Sequence, residues 1–163
     1  MTRPQRLTIG TREVATLPDW GIKRVLAKTD TGAASSAIDV VHHSIEELPA
    51  DDDAPLGRVR FAVVAARKRV SGKRRVVRVE APIARRGPVT SSNGQTHDRL
   101  FVQTVLRVGA FEKTIELGLV DRQKMTCRML LGLSTLAPDL LVDPSAEFLL
   151  TEKPGKKKRT EPT

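Results

Sequence analysis

Short apolar runs with a two-residue alternation, broken by single glycines and prolines, dominate the chain and predict strands rather than helices. Leu7 to Leu17 alternates weakly and ends at a turn around Pro18 to Gly21. Val25 to Thr29 is the next predicted strand and delivers the chain to Asp30; Ser36 to Val41 continues extended. The acidic stretch from Glu46 to Gly57 reads as a surface loop. Arg58 to Ala66 and Arg74 to Ile83 flank "VSGK" and predict a hairpin, with Val77, Val79, Ala81 and Ile83 on one face and Arg78, Glu80 and Pro82 on the other. Val89 to Arg99 is polar, and Asn93-Gly94 at its centre is a strong hairpin-tip signal. Leu100 to Val108 and Thr114 to Val120 give two more strands around the "VGAF" turn. Met129 to Gly132 is wholly apolar, as a strand buried on both sides would be. "LSTLAP" predicts a short helix stopped by Pro138, and "LLVDP" and "EFLL" supply the last strands.

Composition fits one all-β domain. A chain of 163 residues is long enough to bury a core without staples, and 11 glycines and 10 prolines supply turns for many strands. Aromatic residues make up only 3 %, so the core must rest on Val, Leu, Ile and Ala. No internal repeat is visible, which argues against a solenoid or propeller. The single cysteine, Cys127, excludes an intramolecular disulfide and reads as a buried filler. Neither an apolar leader nor a long apolar run is present, so a soluble cytoplasmic protein is expected, with no membrane partner.

Charge is uneven. The formal net charge is +9, and residues 67–86 carry Arg67, Lys68, Arg69, Lys73, Arg74, Arg75, Arg78, Arg85 and Arg86 against one acid, Glu80. The segment from Thr151 onward is also basic, and its composition predicts a disordered tail over 151–163. Such a distribution attracts polyanions, whether nucleic acid or acidic peptide, although a solvated outer strand face accounts for part of it.

The candidate chemistry lies at Asp30-Thr31-Gly32-Ala33. An apolar strand leads into it, a polar hairpin follows in mid-chain, and Leu130-Leu131-Gly132 appears late, before a short helix and a final strand. That order resembles the retroviral-type aspartic peptidases, the retropepsin-like fold. It is more similar still to a bacterial family of small retropepsin-like aspartic peptidases whose members are often called ATP-dependent zinc proteases. The shared phrases are Lys28-Thr29-Asp30-Thr31-Gly32-Ala33, Ser36-Ala37, Ser91-Ser92-Asn93-Gly94, Met129-Leu130-Leu131-Gly132 and Leu141-Val142-Asp143-Pro144, spanning about Gly10 to Leu150. Ala34, Leu100 and the pair Ile38-Asp39 depart from the family pattern and bear on substrate preference.

The resemblance implies a retropepsin-like acid-protease barrel with one short C-terminal helix, over residues 9–150, with residues 1–8 as an extension. It implies Asp30 as the catalytic carboxylate. One carboxylate cannot both accept a proton from water and give one to a peptide carbonyl, whereas two sharing a proton can. The chain has one Asp-Thr-Gly, so the second aspartate is expected from a partner in a symmetric homodimer. Thr31 would bond across that interface, Gly32 would permit close approach, Ala33 would complete the loop, and Leu130, Leu131 and Gly132 would support it from beneath. Ser91, Ser92, Asn93 and Gly94 would form a flap over a peptide substrate, with acidic or glutamate-rich peptides suggested by the charge and by glutamate ligases encoded near relatives.

The family's zinc and ATP wording finds no support in motifs. No Gly-x-x-x-x-Gly-Lys-[Ser/Thr] loop and no His-Glu-x-x-His occurs. His42, His43, His97 and Cys127 remain, but neighbours His42 and His43 would point opposite ways on a strand. No metal and no cofactor is therefore expected. The competing readings are a nucleic-acid-binding β-domain using the basic 67–86 strands, which the near absence of aromatics weakens, and a catalytically silent scaffold.

Overall fold

The computed structural model describes residues 5–67, 74–91, 93–121 and 126–155. Its strands are β1 (Leu7–Ile9), β2 (Arg12–Leu17), β3 (Ile22–Thr29), β4 (Ser36–Asp39), β5 (Glu46–Leu48), β6 (Arg58–Arg67), β7 (Arg74–Pro82), β8 (Arg85–Thr90), β9 (Thr96–Val108), β10 (Phe111–Val120), β11 (Met129–Leu131) and β12 (Leu140–Val142). Helix α1 (Leu133–Leu136) is a single turn, and a 3-10 turn covers Pro18–Trp20.

Six strands close into a barrel in the order β9–β10–β4–β11–β3–β2 and back to β9. The all-β class that the alternation predicts and the barrel that the resemblance implies are both the observed architecture. Closure depends on β9, whose 13 residues serve two structures. Its second part pairs with β10 and its first part pairs with β8, from Arg85 opposite Phe101 to Thr90 opposite Thr96. The β8–β9 hairpin thus projects from the barrel as an extension of a barrel strand.

Alternation sorts the core. Val59, Phe61 and Val63 of β6 and Val79 and Ala81 of β7, with Ile83 just beyond it, turn inward, while Arg78, Glu80 and Pro82 are exposed as predicted. The β5–β6–β7 sheet packs on the barrel through Phe61, whose ring meets Trp20 edge-on at 5.4 Å between centroids. The barrel interior is aliphatic, with Ile9, Leu17, Ile22, Ile38, Leu106, Leu117, Met129 and Leu131 essentially fully buried.

Three expectations change. The acidic stretch begins with a short strand, β5, paired to β6. "EFLL" forms no strand: the Phe148 N–H donates to the Arg12 carbonyl at 2.9 Å and the Leu150 N–H to the buried Glu13 carboxylate at 2.9 Å, which also accepts the N–H and hydroxyl of Thr151 at 3.2 Å each. His42 and His43 are not on a strand; they are the central pair of a turn closed by the Ser44 N–H on the Val41 carbonyl at 3.0 Å. The "VSGK" connection lies outside the described residues. No helix among those described is long and apolar enough to cross a membrane.

Candidate active site

β3 and β11 run parallel, Ala27 beside Met129 and Thr29 beside Leu131, a pairing that antiparallel hairpins cannot make. It brings the Asp30 loop onto the end of the late apolar strand. The Asp30 N–H donates to the Leu131 carbonyl at 2.8 Å, so the strand that carries the carboxylate is fixed by the strand beneath it. Thr29, one residue earlier, is buried and donates its hydroxyl to the Gly10 carbonyl at 3.2 Å.

The loop folds on its own carboxylate. The Gly32 N–H donates to Asp30 Oδ1 at 2.9 Å, and the Ala33 N–H to the Asp30 carbonyl at 3.3 Å. Asp30 is half-buried, while Thr31 and Gly32 are exposed. A carboxylate held this way has one oxygen pinned by the backbone and stands at a surface.

Beyond the loop, Leu133 and Ser134 at the start of α1 donate their N–H groups to the Ala33 and Ala34 carbonyls at 2.8 and 3.0 Å. Gly132 lies between these contacts. A Cβ there would stand 2.4 Å from the Ser35 carbonyl oxygen and 2.8 Å from that of Ala33, both backbone atoms. At Gly32 the nearest atom to such a Cβ is Asp30 Oδ1, at 3.2 Å. Within one chain the close backbone approach is therefore at Gly132. Leu131 is buried and Leu130 half-buried, facing the cleft.

Two residues outside the expected set complete this support. Ser36 and Thr135 are fully buried, their hydroxyls 2.5 Å apart, and Ser36 Oγ accepts the Gly132 N–H at 3.0 Å. Ser36 was visible as part of a motif; Thr135 carried no signal, because its partner is 99 residues away.

A cleft of about 730 Å³ opens over Asp30. The loop residues Gly32, Ala33 and Ala34 and the strand residue Leu130 form its floor, and Pro88, Val89, Thr90 and Ser91 of the hairpin form the opposite side. The tip is ordered by the Gly94 N–H on the Ser91 carbonyl at 2.9 Å and the Ser91 N–H on the Gln95 carbonyl at 2.8 Å. Gly94 takes a φ of +81°, which suits glycine. Asn93 Oδ1 accepts both the Ser91 hydroxyl and the Gln95 N–H. Ser92 lies outside the described residues.

The cleft wall is charged. Arg85 donates from Nε and Nη2 to Glu116 Oε1 at 2.9 and 2.7 Å, and its guanidinium lies 3.8 Å from the Phe101 ring centroid. Arg99 lines the same wall. Cys127 is buried, which pushes its thiol up, so it lacks the thiolate character of a nucleophile.

A closed barrel with an Asp-Thr-Gly loop locked to a late apolar strand, beneath a projecting hairpin, defines a retropepsin-like protein. The family model for the retropepsin-like aspartic endopeptidase RimB matches residues 8–153, and the chain belongs to this RimB-like family. Curated relatives named probable alpha-L-glutamate ligase match as well. The protein of Shewanella pealeana is 30 % identical over 91 % of this chain and 31 % of its own length. That of Desulfotalea psychrophila is 31 % identical over 88 % of this chain and 29 % of its own. The chain thus spans about a third of the length of these relatives. Among solved structures, a Legionella pneumophila protein of unknown function superposes with a TM-score of 0.69 at 25 % identity, covering 90 % of this chain and all of that one.

Proposed function

We propose that the protein is an aspartic endopeptidase that works as a homodimer, with Asp30 of each chain forming the catalytic pair. The observation that supports this most is the loop itself: a half-buried, backbone-braced carboxylate at the floor of a cleft of about 730 Å³, facing a hairpin. One chain offers one Asp-Thr-Gly loop, and the mechanism needs two carboxylates. At about 3 Å apart they cannot both ionise, so they share one proton. The ionised aspartate takes a proton from water, and the water attacks the peptide carbonyl. The protonated aspartate donates to the carbonyl oxygen, and the resulting diol then breaks its C–N bond as the nitrogen is protonated.

In this reading exposed Thr31 bonds to the partner's loop, and the hairpin tip around Ser91, Asn93 and Gly94 closes over a substrate and excludes water. The chain's formal net charge of +9 favours substrates with carboxylate side chains, although Arg85 in the wall is itself paired with Glu116. The relatives' name adds to this: a stretch shared with proteins named probable alpha-L-glutamate ligase fits action on peptides containing glutamate. Ligase activity by this chain is the weaker reading, since the match leaves two-thirds of those proteins uncovered.

The test is cleavage of a peptide library enriched in glutamate, with Asp30→Asn alongside. Cleavage by the parent protein and its loss in a folded Asp30→Asn variant is the expected result. Equal cleavage by both would reject the assignment, and salt-sensitive binding of nucleic acid with no cleavage would favour the polyanion-binding alternative.

A further inference from the structure

His42, His43 and Asp121 lie together, and none of them lines the cleft, although Asp121 directly follows Val120, which does. We propose that they form a binding site for a borderline divalent cation of the zinc class, with an imidazole nitrogen from each histidine, one carboxylate oxygen and water as ligands. The proposal does not depend on the peptidase reading.

The backbone brings these groups together by specific steps. β4 and β10 run parallel, and the Val40 N–H donates to the Val120 carbonyl at 2.8 Å, so the residues after both strands emerge side by side. The Val41 N–H then donates to the Ala62 carbonyl at 2.8 Å, which fixes the start of the turn. His43 takes a φ of +58°, a left-handed conformation uncommon outside glycine. On a strand the two neighbouring rings would diverge; in this turn their centroids are 3.5 Å apart.

Asp121 faces both. Its Oδ1 is 2.9 Å from His42 Nδ1, and its Oδ2 accepts the His43 N–H at 3.1 Å. The hydrogen bonds from His42 and the His43 N–H hold the carboxyl below the usual carboxylate range. One ligand atom from each of the three residues lies within 4.8 Å of the others. Around zinc, with bonds of roughly 2.0–2.2 Å, ligand atoms stand about 3.3–3.5 Å apart. The His42–Asp121 pair, now hydrogen-bonded at 2.9 Å, must give up its shared proton and open by about 0.5 Å, and both rings are exposed, so rotation of side chains can supply this and bring in His43. Two imidazoles and one carboxylate suit zinc, copper or nickel rather than magnesium or calcium, which take oxygen ligands.

The rival explanation is that Asp121 merely braces the turn. It needs the His43 N–H but gives the His43 ring no role, and this difference makes the two separable. Asparagine also tolerates the left-handed region, so His43→Asn keeps the turn and its N–H while removing the imidazole. The full chain, treated with EDTA and dialysed, is titrated with zinc chloride by calorimetry and with cobalt(II) by absorbance. The expected result is one saturable site per chain. Affinity should fall at least about tenfold in His43→Asn and in His42→Gln, and stay unchanged in His97→Gln and Cys127→Ala. Zinc should raise the melting temperature of the parent protein and not that of His43→Asn. No saturable binding below about 1 mM, a His43→Asn variant that binds like its parent, or loss of binding in His97→Gln or Cys127→Ala would each overturn the site.

Discussion

Replacing Gly132 by alanine isolates what holds the Asp30 loop in place. The added carbon would lie 2.4 Å from the Ser35 oxygen, 2.7 Å from the Ser35 carbonyl carbon and 2.8 Å from the Ala33 oxygen. None of these atoms belongs to a side chain that can swing away, so ordinary contact requires the Ser35 segment to retreat by up to about 1 Å. Overpacking of this kind costs about 1–3 kcal/mol. The retreat also stretches the Leu133 N–H bond to Ala33 and the Gly132 N–H bond to Ser36 Oγ, at about 1 kcal/mol each. The expected total is about 3–5 kcal/mol, a large part of the stability of an ordinary domain. Urea unfolding followed by circular dichroism measures it, as a lower midpoint with an unchanged slope. Gly32→Ala is the paired control. Its new carbon meets only the Asp30 side chain, at 3.2 Å, so stability should change by less than about 1 kcal/mol while cleavage falls, because the carboxylate is displaced. A Gly132→Ala protein within about 1 kcal/mol of its parent would refute the idea that backbone contact at this glycine locks the loop.

Glu13→Gln keeps the size of a buried side chain but weakens its bonds to Leu150 and Thr151. It should cost about 1–3 kcal/mol and make the segment around Leu149 to Lys153 cut first in limited proteolysis. Lys113 donates to the Thr135 and Ala137 carbonyls and to Asp139 at the end of α1. Lys113→Met should cost about 1 kcal/mol by thermal melting, with a smaller loss in high salt. Cys127, buried with its thiol pushed up, should react with a disulfide reagent at mildly alkaline pH only as fast as the protein opens, and at once in urea. Asp51 is held low mainly by Arg58 and Asp121 mainly by His42. Because these carboxyls are depressed in the fold, their contribution is present above the ordinary value of 3.8 and is lost as pH falls below it. An acid titration should therefore show stability falling below about pH 4, and Asp121→Asn should flatten part of that fall.

The order of strand, Asp-Thr-Gly-Ala, hairpin and Leu-Leu-Gly was readable because each part is local. An apolar run, a glycine tip and a small-residue loop need no distant partner to be recognised. The parallel pairing of β3 with β11 was not readable, since about a hundred residues separate the two strands; the resemblance implied only that Leu130, Leu131 and Gly132 support the loop. Ser36 and Thr135 escaped as a pair for the same reason. "EFLL" read as a strand because alternation carries no record of who takes the backbone N–H groups, and here a side chain takes one. Glu13 did leave a trace: it shares the inward face of β2 with Ala15 and Leu17, where a carboxylate demands partners. The His42–His43 turn was hidden because a left-handed φ at histidine is a choice of the fold and not a preference of the residue.

The shared catalytic pair is tested most directly by mixing subunits. Active protein is combined with increasing Asp30→Asn protein, allowed to exchange, and assayed on a glutamate-rich peptide that the parent cleaves. If each site takes Asp30 from both chains, mixed dimers are dead, and activity per active chain falls to about half at an equal mixture and further with excess. If activity per active chain stays constant at every ratio while the chains exchange, one Asp30 suffices and the account is wrong.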